Sequence, residues 1–220
     1  MAEHLDSVRV QYLQAQVTGD RRAALKVVHD ALAMGHSVRS VRQRVVQAAQ
    51  LEIGKLWQEN RLSVAHEHMA TVISQMALVH LYEEAPVPQT RGRTIMVACV
   101  EGEMHDLPAR LVADYLESEG YDVRYLGANV PTESLVTALA AAPSDVLALS
   151  VTMSFNVTGL RAAVAAVRER FPALKILAGG QALEWAPDLA HQLKIVTTGD
   201  TPEQIVAGIE SMLLGGEKAT

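Results

Sequence analysis

"TIMVACVEGEMHDLPARL", residues 94–111, decides the fold. Residues 94–100 are a continuous apolar run without polar alternation, which reads as a strand covered on both faces. The run breaks into a polar loop carrying Glu103, His105 and Asp106, and a helical pattern resumes behind Pro108. Proline suits a first helical turn, because the N–H it lacks would be unpaired there in any case. Four further apolar runs follow, "YDVRYLG" (121–127), "DVLALSVT" (145–152), "LKILAGG" (174–180) and "KIVTTG" (194–199), separated by helix-like segments. Buried strands alternating with helices predict a Rossmann-like, doubly wound α/β domain with a parallel sheet. Ligands of such sheets sit outside the carboxyl ends of the strands, so the His105 loop lies where a ligand belongs.

Upstream the pattern is different. Residues 1–84 show helical spacing, as in Leu5, Val8, Tyr12, Leu13 and again Val41, Val45, Ala48, Leu51, with no convincing strand. Breaks at "TGD", "MGHS" and "ENRLS" divide this region into four helices, over about 4–17, 20–34, 37–59 and 63–84. Ser63 is placed to cap the fourth, with Glu67 in its first turn near the positive end of the dipole. "EEAPVPQTRGR", residues 83–93, reads as a linker. The expected organisation is an all-α four-helix bundle over 1–84 followed by the α/β domain over 91–216.

Composition narrows the function classes. With 49% apolar and 20% charged residues the 220-residue chain should fold, and a net charge of −6 with dispersed basic residues argues against direct nucleic-acid binding. The single cysteine, Cys99, lies in an apolar run with no partner for a disulfide or a thiolate metal cage. A reducing, cytoplasmic setting is expected, since no signal peptide and no apolar run of membrane-spanning length is seen.

The chemistry centres on His105. Glu103 two positions before it and Asp106 directly after it allow one imidazole nitrogen to be held by a carboxylate while the other faces a ligand. Such a histidine is a metal ligand or a general base. Zinc fits poorly, because the eight histidines form no H-E-x-x-H and no His–Cys spacing, and His66 and His68 stand on different faces of a helix. A metal carried in its own macrocycle needs only one axial histidine.

The α/β half resembles the cobalamin-binding fold marked by Asp-x-His-x-x-Gly after strand one, a Ser-x-Leu or Ser-x-Thr strand end and a later Gly-Gly pair. This chain has Glu103-Met-His105-Asp-Leu-Pro108, then Ser150-Val-Thr152, then Gly179-Gly180, and "YLGANVPTESLVTAL" is similar to the segment after strand two. The resemblance implies that His105 is the lower ligand of cobalt, that Glu103 orients it, and that Asp106, Ser150, Thr152, Gly179 and Gly180 help to hold the cofactor and its nucleotide tail. Glutamate in place of aspartate lengthens the orienting arm by a methylene, and Pro108 in place of glycine bars a positive φ.

The helical half resembles CarH-type cobalamin photoreceptors through Trp57 followed after nine residues by Glu67-His68. In that family the bundle covers the upper cobalt face, and the resemblance places Trp57, Glu67 and His68 against the adenosyl group of adenosylcobalamin. The sequence starts at the bundle, without the basic helix-turn-helix of the DNA-binding members, and carries Gln58 where those members have a light-state histidine ligand. The resemblance therefore implies a non-catalytic, standalone light sensor acting on a downstream regulatory protein or enzyme, compatible with a homodimer. Photocobilin-like relatives add a bilin such as biliverdin, which here would be held non-covalently. A corrinoid shuttle of methyl transfer and a cobalamin-dependent antirepressor are the alternatives.

Overall fold

The computed structural model describes residues 2–197, 199 and 201–215. Residues 198 and 216, within the expected fifth strand and at the expected end of the α/β domain, lie outside them. The chain divides into two compact units, Met1–Pro86 and Val87–Thr220.

The first unit is helical: α1 (Ala2–Thr18), α2 (Arg21–Ala33), α3 (Val38–Val41), a π-helical turn (Arg42–Gln47), α4 (Ala48–Gln58) and α5 (Val64–Glu83). Its boundaries follow local chemistry. Gly19 and Gly35 close the turns after α1 and α2 at φ 72° and 88°, and Asp20 and Ser37 cap the next helices by accepting from Ala23 N and Ser40 N. Ser63 occupies the N-cap position of α5 but makes no side-chain cap; its hydroxyl pairs with the His66 ring at 2.7 Å instead.

The third expected helix is interrupted. Val41 and Val45 are buried as expected, but Leu51 is 69% exposed and Ala49 and Ile53 are buried in its place. The buried positions 41, 45, 49 and 53 thus recur every four residues. In a pure α-helix each such step drifts by roughly 40°, and the wider π turn takes up that drift. Ala48 N accordingly donates to Gln43 O, five residues back.

The second unit contains β1 (Thr94–Cys99), α6 (Leu107–Ser118), β2 (Asp122–Tyr125), α7 (Thr132–Ala141), β3 (Val146–Ser150), a 3-10 turn (Ser154–Asn156), α8 (Val157–Arg170), β4 (Lys175–Gly179), α9 (Gln181–Glu184), α10 (Leu189–Leu193), β5 (Val196–Thr197) and α11 (Pro202–Gly215). The strands form one parallel sheet in the order β2-β1-β3-β4-β5. Alternate residues feed two cores. Met96, Ala98, Val100, Leu147 and Leu149 pack with α7 and α8, whereas Ile95, Val97, Cys99, Val146 and Ala148 pack with α6 and α11. Burial on both faces is why these strands read as unbroken apolar runs. The edge strands are the exceptions: β2 has no buried residue, and the two residues of β5 are exposed. The strand order reverses direction between β1 and β3, the switch point at which ligands bind in this topology.

Candidate functional site: a histidine held at the carboxyl edge of the sheet

The loops after β1, β2 and β3 meet at Glu103. Its side chain is fully buried, and Oε1 accepts from His105 N at 2.9 Å and lies 2.6 Å from His105 Nδ1. Oε2 accepts from Thr152 N at 2.8 Å, Met153 N at 2.9 Å and Asn156 Nδ2 at 3.0 Å, all beyond the end of β3. Its main-chain carbonyl accepts from Asn129 N at 2.8 Å, in the loop after β2. Burial alone would raise the carboxyl pKa, but the hydrogen bonds from the His105 ring, Met153, Asn156 and the His105 amide outweigh it and bring the value down to about 2.

Close backbone approach permits this convergence. Gly102 has φ 86°, and a Cβ there would lie 2.9 Å from Asn156 Oδ1; a Cβ at Gly159 would lie 2.6 Å from Glu101 O. The methylene that distinguishes glutamate from aspartate gives this carboxylate the reach to span from the β1 loop to the β3 loop. An acceptor-only carboxylate on Nδ1 makes that nitrogen the donor, so Nε2 is the nitrogen chemically suited to a metal. The ring is 42% exposed.

The other expected residues fall in different places. Asp106 opens α6 as its N-cap residue without a side-chain cap, and its carbonyl accepts from the Tyr125 hydroxyl at 3.1 Å. Pro108 occupies the first turn of α6, as its lack of an N–H allows. Ser150 is buried, pairs in register with Cys99 and shares a side-chain hydrogen bond with it, so its hydroxyl is engaged beside the α6 face. Gly179 ends β4 opposite Ser150. Gly180 has φ 114°, and a Cβ there would lie 2.2 Å from Val151 O. Cys99 is buried, and burial with the nearby Asp106 and Glu103 charges pushes its thiol up to about 12, which makes it a poor nucleophile.

The edge of the sheet also carries apolar surface. Met104, Leu126, Phe155 and Trp185, in the segments that follow β1, β2, β3 and β4 respectively, are 67%, 36%, 68% and 56% exposed. Beside them Thr152 Oγ1 is buried without a hydrogen-bond partner. Among the described residues no group of three or more His, Cys, Asp or Glu gathers to hold a bare metal ion. One oriented imidazole, an unpartnered buried hydroxyl and an apolar rim fit a metal held in a large, mostly apolar macrocycle with a polar appendage.

The comparison with known families agrees. A B12 binding domain model matches residues 93–207, and a second B12 binding domain model matches residues 8–82. The chain belongs to the B12-binding domain family. Among relatives of these B12-binding domains, the HTH-type transcriptional repressor CarH of Myxococcus xanthus is 27% identical over 180 residues, 81% of this chain and 59% of that protein. The chain thus spans less than two thirds of CarH. Dimethylamine corrinoid protein 2 of Methanosarcina acetivorans is 24% identical over 79% of this chain and 81% of that one. The structure of a Methanosarcina barkeri monomethylamine corrinoid protein superposes with a TM-score of 0.77 at 18% identity, covering 93% of this chain and 98% of that one, and so shares the fold. A cobalamin or corrinoid is therefore the cofactor class of this chain.

The helical unit holds the remaining expected residues. Trp57 is half-buried near the end of α4. On α5, Glu67 Oε2 lies 2.8 Å from His68 Nδ1, with Glu67 19% exposed and His68 73% exposed. Glu67 Oε1 accepts from Thr71 Oγ1 at 2.7 Å and from Gln50 Nε2 at 3.3 Å.

The residues not anticipated are mostly partners of the two glutamates. Asn156 and the Thr152 and Met153 amides bind Glu103, Asn129 ties in the β2 loop, and Gln50 and Thr71 hold Glu67. Asn129, at φ 49° after Gly127 in "GAN", has the left-handed conformation that asparagine tolerates, and this was a readable turn signal. No helix of the described residues is long and apolar enough to cross a membrane.

Proposed function

We propose that this chain is a cobalamin-dependent light sensor, itself non-catalytic, which passes its signal to a regulatory protein or enzyme. His105 would hold the cofactor's metal through Nε2 while Glu103 fixes its ring. Thr152 and the backbone at Gly179 and Gly180 would receive the nucleotide tail, and Trp57, Glu67 and His68 would contact the upper ligand. Bound adenosylcobalamin would supply a cobalt–carbon bond weak enough for visible light to break. The observation that carries the sensor reading is the Glu67–His68 pair at 2.8 Å, with Trp57 half-buried at the end of α4.

An upper ligand that contacts these three side chains favours whichever conformation keeps the contacts. Losing it shifts the equilibrium by no more than those contacts were worth. Gln58 beside Trp57 offers an amide and no imidazole, so no second histidine ligand comes from that position. A bilin such as biliverdin, as a second chromophore, would be held without a bond to the buried Cys99.

The likeness to the dimethylamine corrinoid protein over 79% of this chain favours a second reading, a corrinoid shuttle of methyl transfer. Absorption spectra of the chain loaded with adenosylcobalamin in the dark, with and without biliverdin, separate the two. A spectrum that converts irreversibly under green light, differently from free cofactor, supports the sensor. A light response equal to that of the free cofactor, with methyl transfer from the methylcobalamin-loaded chain in the presence of a reductase, would establish the shuttle.

A further inference from the structure

Glu67 is the end of a hydrogen-bond chain that starts in the core of the helical unit. Gln16 and Ser74 are fully buried, and Gln16 Nε2 donates to Ser74 Oγ at 2.9 Å and to Ala70 O at 3.1 Å. Ser74 Oγ donates to Gln50 Oε1 at 2.9 Å, Gln50 Nε2 donates to Thr71 Oγ1 at 2.8 Å, and Thr71 Oγ1 donates to Glu67 Oε1 at 2.7 Å. Exposure rises along the path, from buried Gln16 and Ser74 through half-buried Gln50 and Thr71 to exposed His68.

The direction of the chain is dictated by its end. A carboxylate only accepts, so the Thr71 hydroxyl must donate to Glu67 and must itself accept from Gln50. The Gln50 amide nitrogen then faces Thr71 and its oxygen faces Ser74. Ser74 must donate there, and it accepts from Gln16. Each bond polarises the next in the same sense, which strengthens the set. Gln16 Oε1 is left buried without a hydrogen-bond partner, the unsatisfied group at the far end. The π turn Arg42–Gln47 lies directly before this helix, and the extra residue per turn rotates every later side chain, Gln50 included, by roughly 100°.

We infer that Gln50 is a positioning residue for the Glu67–His68 pair, setting the discrimination between a hydroxyl-bearing upper ligand and a plain alkyl one. The inference rests on the proposed contact of that pair with the upper ligand. With its Oε1 turned to Thr71 and Gln50, Glu67 presents Oε2 and the attached imidazole in one orientation. Donors on a sugar would meet an oriented acceptor there, and a methyl group would gain nothing from it. Without Gln50, Thr71 loses its donor and Glu67 gains rotamers.

The test uses the full chain as wild type, Gln50→Leu and Thr71→Val. Adenosylcobalamin and methylcobalamin are titrated in the dark, and the His68 ring nitrogens are followed by NMR in cofactor-free protein. The wild type should prefer adenosylcobalamin and show His68 protonated at Nδ1. Each variant should lower that preference about tenfold, the loss expected from misplacing one charge-assisted hydrogen bond. The His68 signal should move with it, while methylcobalamin affinity stays unchanged. Unchanged preference and unchanged His68 signals in both variants would overturn the inference. A wild type without preference, whose His68 signal still moves in the variants, would overturn the upper-ligand contact and uphold the positioning role. Thr71→Val keeps the test decisive if Gln50→Leu fails to fold.

Discussion

The two units each present a glutamate–histidine pair, and the pairs are built differently. Glu103 is fully buried and receives backbone N–H groups and an asparagine from loops that the sheet topology brings together. Glu67 is 19% exposed and is held by side chains alone, Thr71 and Gln50. The first geometry is part of the fold, because moving the carboxylate would leave the buried Asn156 side chain and the half-buried Thr152 and Met153 amides unpaired. The second can be changed without disturbing a strand. The proposed lower-face role suits the rigid pair, and the proposed upper-ligand contact suits the adjustable one.

The sharpest way to break this contrast is to remove the rigid carboxylate. Glu103→Ala leaves the Thr152 and Met153 amides and the Asn156 side chain without their acceptor, so the α/β unit should lose about 4 kcal/mol in chemical denaturation. An unfolding curve within 1 kcal/mol of wild type would show that the convergence of loops does not depend on Glu103. Acid acts on the same group. Its folded pKa of about 2 lies below the ordinary value of 4.5, so the folded state binds fewer protons between these values. The contribution is fully present above about pH 4.5 and is lost as pH falls towards 2, and it amounts to roughly 3 kcal/mol. Urea titrations across this window should show the loss in wild type, and Glu103→Gln should remove this part of the pH dependence.

The contrast also explains what could be read in the sequence. The parallel sheet was legible because strands covered on both faces need apolar residues at successive positions, and the central residues of β1, β3 and β4 supply them. The fifth run is covered less than the others: Ile195 is buried, but Val196 and Thr197, at the edge of the sheet, are exposed. The π turn was not legible, since the stripe Val41, Val45, Ala48, Leu51 satisfies an α period and only packing selects Ala49 and Ile53. His105 and Glu103 were visible because they are close in sequence. The partners of Glu103 Oε2 are 49 to 53 positions away and act partly through backbone amides, which no side-chain pattern records.

His105→Ala should have a smaller effect on folding than loss of Glu103, about 1.5 kcal/mol, because Glu103 keeps its other donors. Cobalamin affinity should fall about 10- to 100-fold, and the acid transition should move to higher pH as Glu103 loses one of the bonds that hold its pKa down. Unchanged affinity and visible spectrum would remove His105 from the lower face.

The smallest effect is expected at the adjustable pair. His68 is 73% exposed, and an exposed ion pair contributes between about 0 and 1 kcal/mol. His68→Ala should therefore leave the thermal unfolding of the cofactor-free chain within about 4 °C of wild type. In cofactor-loaded protein the proposed upper-ligand contact requires the same change to alter the dark stability of the adenosylcobalamin complex, because Glu67 would lose its neighbour. A large stability loss without cofactor would show that this pair, like Glu103–His105, is part of the fold, and the distinction between a fixed and an adjustable pair would fall.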